Sequence, residues 1–220
     1  MQCIKDTIKN INIVIGCSIG CSYCYARMNN NRFHTIDDFN KPVFFENKLK
    51  MLNNKRHTAY LLTGQSDLSG WNEEWKDKVF SKMKENENTQ YIFLTKRPEN
   101  IKLKETPDNG WFGVTVTSSK EKTRIDYLRN NIKAKHYHIT FEPMFDDVGK
   151  LDLNNISWIV IGTETGNRKG KISSKREWVF NIYNQAKEKN IPVFMKEDLL
   201  GILNEDEFVQ EFPKEFGGIK

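Results

Sequence analysis

Seven short apolar runs recur along the chain at a steady pace. They are INIVIG (11–16), AYLLTG (59–64), YIFLTK (91–96), WFGVTVT (111–117), HYHITFE (136–142), WIVIGT (158–163) and IPVFMK (191–196). Each is rich in β-branched and aromatic residues and shows little alternation, the pattern of strands buried on both faces of a parallel sheet. Amphipathic, charge-rich segments lie between them: ENKLKMLNNK (46–55), EEWKDKVFSKMKEN (73–86), SKEKTRIDYLRNN (119–131) and SKREWVFNIYNQAKEKN (174–190). In the last of these Trp178, Ile182 and Ala186 recur at a four-residue step, which is one helical face. The link PMFDDVGKLDLNN (143–155) is expected to carry little helix.

Strand and helix alternating in this way predict one α/β domain with right-handed crossovers. Six or seven parallel strands suit an open doubly wound sheet or a partial (β/α) barrel, and periodicity does not choose between them. No linker, repeat or low-complexity stretch divides residues 1–200; residues 201–220 read as a C-terminal extension.

Composition alters this picture little. At 220 residues the chain can bury roughly 70% of its unfolded surface and needs no disulfides to fold. The charge balance, 34 − 29 = +5, is mildly basic and compatible with a phosphate-bearing partner, though a scattered solvated surface gives the same number. No apolar stretch approaches the roughly 20 residues of a membrane span, and the amino-terminal run lacks a cleavage signal. A cytoplasmic monomer is expected, and in a reducing compartment clustered cysteines point to metal or redox chemistry. No GxGxxG fingerprint is present, which disfavours nicotinamide chemistry.

Polar and charged residues gather at the carboxyl ends of the runs. Gln65, Ser66 and Asp67 follow the second, Lys96 and Arg97 the third, and Thr115, Thr117 and Ser118 close the fourth. Glu142 ends the fifth, Glu164 follows the sixth and Lys196 ends the seventh. In either architecture that edge is where ligands bind. Ionised side chains directly after apolar strands must pair with each other or face a solvated cavity. Lys96, Glu142, Glu164 and Lys196 are therefore the candidate catalytic residues, with a Lys–Glu pair across the mouth as the plain structural alternative. Ser66, Asp67 and Ser118 suit helix caps equally well. Gly162, Gly166 and Gly170 read as close backbone approach or tight turns. His136 and His138 fall on one face of a single strand, where ordinary core residues are the simpler reading.

The stretch GCSIGCSYCYAR (16–27) places Cys17, Cys21 and Cys24 together just after the first run, so they share that edge. Three thiolates cannot complete a structural zinc site without a fourth donor, for which Cys3 and His34 are the candidates. A [4Fe-4S] cluster held by three cysteines would instead keep one iron open for another ligand.

The motif Cys17-x3-Cys21-x2-Cys24, with Tyr23 before the last cysteine, resembles the signature of the radical S-adenosylmethionine superfamily. LTKRP (94–98), FGVTV (112–116), FEPM (141–144), WIVIGTETG (158–166) and VFMKED (193–198) are similar, in order and spacing, to a phage- and mobile-element-associated radical-SAM-like family of unknown function. That family often has a longer first cysteine spacing than this chain. Spore photoproduct lyase is a more distant likeness, through Cys21-Ser22-Tyr23-Cys24-Tyr25. The resemblance implies a partial (β/α)6 barrel whose three cysteines bind a [4Fe-4S] cluster. S-adenosylmethionine would chelate the open iron and be cleaved reductively to a 5′-deoxyadenosyl radical that abstracts hydrogen from substrate. It implies an external one-electron reductant of flavodoxin or ferredoxin type. Gln65, Ser66 and Asp67 would hold the methionine amino group, Thr115, Thr117 and Ser118 the ribose, and Tyr23 would border the cofactor. A nucleic acid or nucleotide is the favoured substrate. The competing expectation is a non-catalytic, zinc-containing nucleic-acid-binding protein, with Trp71, Trp75 and Trp111 free to stack on bases.

Overall fold

The structure, a computed structural model, describes residues 2–53 and 58–217. In chain order the helices are α1 (Ile4–Thr7), α2 (Tyr25–Phe33), α3 (Glu73–Lys84), α4 (Thr123–Asn131) and α5 (Arg176–Glu188). The strands are β1 (Ile8–Asn10), β2 (Val14–Ile15), β3 (Val43–Phe44), β4 (Ala59–Leu61) and β5 (Gln90–Thr95), then β6 (Gly110–Thr115), β7 (His136–Phe141), β8 (Ile156–Ile161) and β9 (Val193–Met195). Seven of them form one parallel sheet in the order β1-β4-β5-β6-β7-β8-β9, curled into a half barrel.

The apolar runs locate six of these strands within a few residues. The first is displaced: the sheet strand is Ile8–Asn10, while Val14 and Ile15 of the more apolar INIVIG pair antiparallel with Phe44 and Val43 in a separate ribbon. Only four crossovers contain an α-helix of eight residues or more. The links after β5 and β7 carry a 3-10 turn (Pro98–Asn100) and no helix respectively, so the strict strand–helix repeat is broken twice. Segment 46–55 forms a 3-10 helix over Glu46–Asn53, and its last two residues lie outside the described ones.

Alternation within each strand separates two cores. The outer face packs Tyr91, Phe93, Phe112, Val114, Ile139 and Ile159 against Val79 and Met83 of α3, Leu128 of α4 and Ile182 of α5. The inner face carries Ala59, Ile92, Trp111, Trp158, Val160 and Phe194, closed from below by Phe216 and Phe212 of the tail. The tail also pairs with the free edge of β9, where Met195 N–H donates to Val209 and Glu211 N–H to Val193. Its Gln210 side chain accepts a bond from the Gln2 backbone and returns one to the Gln2 carbonyl, which joins the two ends of the curl. With the amino-terminal end filled by aromatics, the open end of the curl is the carboxyl edge.

Among the described residues no helix is long and apolar enough to cross a membrane.

Candidate functional site

The cysteine loop begins with a close approach. Gly16, at φ +114°, lies so near the 36–42 segment that an added Cβ would stand 2.9 Å from Pro42 Cα. Its N–H donates to the Gln65 carbonyl at 3.0 Å, which ties the loop to the end of β4. Cys17 N–H donates to Phe39, and Arg27 reaches back to the Cys17 carbonyl at 2.9 Å and to Asn40 at 3.0 Å. Cys24 caps α2, its sulfur accepting from Arg27 N–H at 3.4 Å. Tyr25 then spans to the Gly64 carbonyl at 2.5 Å. Helix α2 therefore starts on the mouth of the half barrel because its cap is itself a motif cysteine.

Cys17, Cys21 and Cys24 are free thiols, each half-buried. Burial pushes the Cys17 thiol above its ordinary range, reinforced by the negative charges of Asp67, Cys21 and Cys24. Burial, then the charge of Cys21 and a hydrogen bond to it, raises the Tyr23 phenol as well. Tyr23 meets Phe145 edge-on at 5.4 Å, and the Lys96 ammonium sits 5.8 Å above its ring. The loop thus touches the ends of β4, β5 and β7 together. Among the described residues no three His, Cys, Asp or Glu side chains are already arranged to hold a metal ion. The donor set itself, three unpaired thiols within eight residues of one loop, fits an iron–sulfur cluster in type.

The two alternative fourth donors stand apart from this loop. Cys3 donates its thiol to Glu197 at 3.0 Å, and the charges acting on it come from Glu197 and Asp6. His34 forms the carboxyl cap of α2, a full helix away from Cys24, roughly 13–15 Å at 1.5 Å per residue.

The strand-end residues divide into committed and open groups. Asp67 is committed: Oδ1 accepts from Ser69 N–H (3.0 Å), Ser69 Oγ (2.7 Å) and Thr95 Oγ1 (2.6 Å), and Oδ2 from Lys96 N–H (2.8 Å). It caps the 3-10 turn Leu68–Gly70 and locks β4 to β5, the capping role foreseen beside the cofactor one. Ser66 Oγ accepts from the Trp71 indole at 3.0 Å. Thr117 gives its N–H and hydroxyl to Glu121, both at 2.7 Å. Glu164, almost wholly buried, is gripped by Arg168 through Nε at 2.5 Å and Nη2 at 2.8 Å, which holds its carboxyl below the ordinary range. That fork folds the loop after β8, with Gly166 and Gly170 at positive φ on its turns. Gln65 and Ser118 are half-buried with no side-chain hydrogen bond among the described residues.

Across the mouth, Lys196 Nζ bonds Glu142 Oε1 and lies 3.8 Å from Asp198 Oδ2. Burial alone would lower the Lys196 ammonium, but the charges of Glu142 and Asp198 outweigh it and raise it. Burial pushes Asp198 up to about 6, against the pull of Lys196. The pair lies close over Gly162, just past β8: a Cβ there would lie 3.1 Å from Lys196 Cδ and 3.2 Å from Glu142 Cγ and Cδ, so a larger residue would push the pair aside. Lys96 differs from Lys196. Its Nζ reaches Thr115 Oγ1 at 3.5 Å, and no carboxylate pairs with it among the described residues.

Arg168 and Asp198 were not among the expected site residues. Arg168 carries a sequence signal, its four-residue spacing from Glu164, and Asp198 stands two residues after Lys196. The histidines do face one side. His136 stacks on Trp111 at 4.3 Å, and His138 is wholly buried over Gly113, its partner in the strand register. The tryptophans expected to stack on bases are structural: Trp71 and Trp111 are core, and Trp75 stacks on Phe44 at 5.7 Å.

A family model described as "Protein of unknown function (DUF5131)" matches residues 2–217. Comparison with curated proteins and with solved structures gives no match.

Proposed function

The chain belongs to the DUF5131 family, whose description assigns no function, and we propose that it is a radical S-adenosylmethionine enzyme in which Cys17, Cys21 and Cys24 hold a [4Fe-4S] cluster. One observation carries this reading: a three-cysteine loop with free thiols is fastened, through Gly16 to Gln65 and Tyr25 to Gly64, onto the open carboxyl edge of a curled parallel sheet. That edge is where such sheets bind ligands. Three cysteines leave one iron position for an exogenous ligand. Bound there, S-adenosylmethionine and a reduced cluster would supply a 5′-deoxyadenosyl radical able to take hydrogen from a substrate.

The chain's own part is to position and exclude. Tyr23, packed on Phe145, walls the loop from the β7–β8 link. Gln65 and Ser118, with no side-chain hydrogen bond among the described residues, offer hydrogen bonds beyond the ends of β4 and β6, and Thr115 lies on the inward-facing register of β6. Glu142 and Lys196 form a fixed charge pair over Gly162, a polar rim against which a substrate orients. Asp67, Thr117 and Glu164 support this edge by bonds already made within the protein. An external one-electron donor of flavodoxin or ferredoxin type completes the system, and a nucleotide or nucleic acid is our reading of the substrate.

The test is anaerobic reconstitution with iron and sulfide, reduction by dithionite, and chromatographic detection of 5′-deoxyadenosine from S-adenosylmethionine. The reading expects product that scales with iron content. Iron-loaded, reducible protein that makes none contradicts it. The zinc-bound alternative is disfavoured because the Cys3 thiol is engaged with Glu197, His34 is a helix away, and two of its three tryptophans are core.

A further inference from the structure

Two lysines stand at the mouth, and their surroundings are opposite. Lys196 is neutralised by Glu142 and Asp198. Lys96 has no such partner among the described residues. Asp67, beyond the end of the neighbouring strand β4, spends one oxygen on the backbone N–H of Lys96 itself and the other on Thr95 and Ser69. Asp67 therefore clamps the Lys96 backbone without answering its charge. The side chain follows the inward positions of β5 and crosses to β6, where, among the described residues, Nζ meets only the Thr115 hydroxyl at 3.5 Å and the Tyr23 ring at 5.8 Å.

An ammonium has three N–H donors, and a half-buried one with a single weak acceptor is poorly compensated. A ring face attracts a cation but does not neutralise it. The Thr115 hydroxyl, 3% exposed, accepts from Lys96 and has its own proton still to give. Two donors therefore converge on the interior side of the cysteine loop.

We propose that Lys96 and Thr115 form an oxyanion subsite that takes the phosphate group of a bound nucleotide. It rests on the proposed function only for the substrate class, a nucleotide, and not on the cluster.

Calorimetric titration of the full chain tests this with three probes: adenosine monophosphate, adenosine and S-adenosylmethionine. Charge-assisted hydrogen bonds of the usual strength predict that Lys96→Met weakens the anionic probe about tenfold or more. Thr115→Val weakens it less, and adenosine binding stays unchanged in both. Arg97→Met removes an exposed neighbouring cation and should leave every affinity intact. A loss that includes adenosine monophosphate supports the subsite; loss confined to S-adenosylmethionine places Lys96 at the cofactor and overturns it. The proposal is also overturned if wild type does not bind adenosine monophosphate, or if Lys96→Met binds it as wild type does. It is equally overturned if Lys96→Met loses iron while anion affinity is unchanged, since Lys96 would then be a counter-charge to the metal site. Circular dichroism checks the fold, and Thr115→Val carries the test if Lys96→Met does not fold. The nucleotide arm needs neither iron nor radical chemistry, so failure to make 5′-deoxyadenosine and failure of this subsite are separate results.

Discussion

His138 should make this protein less stable as the pH is lowered. Its ring is 1% exposed on β7, and Nε2 lies 3.0 Å from the Phe93 carbonyl, so the neutral ring carries its proton there. Nδ1 has no partner among the described residues. A second proton on Nδ1 would make a buried cation beside Trp158, and the backbone of Trp111 offsets only part of that cost. Burial accordingly holds the imidazole at about 4, below its ordinary 6.5. Between those values the unfolded chain binds a proton that the folded chain refuses, so stability falls as pH drops from 6.5 toward 4. At 1.36 kcal/mol per pH unit, the loss from pH 7.5 to pH 4.5 is about 2–3 kcal/mol. Asp198 works in the opposite direction: its folded value of about 6 lies above the ordinary 3.8, so its contribution grows as pH falls. The comparison must therefore be with His138→Gln, which keeps a donor for the Phe93 carbonyl and removes the titration. Urea unfolding of both proteins at the two pH values isolates the term. Wild type should lose about 2–3 kcal/mol more than the variant. Parallel losses would refute the reasoning.

The same ring explains a second expectation. A Cβ at residue 113 would lie 2.4 Å from His138 Cε1 and Nε2, so Gly113→Ala must displace a fully buried ring and its hydrogen bond. Overpacking with a lost buried bond should cost roughly 2–4 kcal/mol, a fall in Tm of about 5–15 °C. Removing the ring in Gly113→Ala/His138→Ala should make the two losses non-additive by about 1 kcal/mol or more in thermal melts. Lys196→Met would leave Glu142 and Asp198 facing each other without their cation. We expect a loss of about 1–3 kcal/mol at pH 7 and a further rise in the Asp198 pKa, read from carbon-13 carboxyl shifts. An unchanged Asp198 titration would mean the ion cluster does not hold in solution.

Much of the sheet was legible because its strands are buried on both faces, which leaves apolar runs too dense for any other element. The first strand was not. Ile8–Asn10 includes a lysine and lies at the sheet edge, whereas INIVIG next to it is more apolar and goes to a local ribbon. The two helix-free crossovers escaped notice in part: PMFDDVGKLDLNN reads as irregular, but the link after β5 shows its 3-10 turn only through Pro98. At the site, residue type and strand-end position singled out Lys96, Glu142 and Lys196, but not which would pair. That depended on Gly162 making room beneath one pair, a contact set by strand register and invisible in any local window. Asp67 shows the converse: its chemistry suits a ligand ammonium, yet four internal donors reach it first, two of them from β5 and the residue after it.

The central claim is that Cys17, Cys21 and Cys24 alone bind the cluster. Iron and acid-labile sulfide per chain, measured after anaerobic reconstitution of wild type and the four single Cys→Ser variants, test it most directly. The account predicts that Cys3→Ser keeps the wild-type content, because the Cys3 thiol is engaged with Glu197, and that each of the other three loses it. Retention of iron by any of those three, or its loss in Cys3→Ser, would contradict the account.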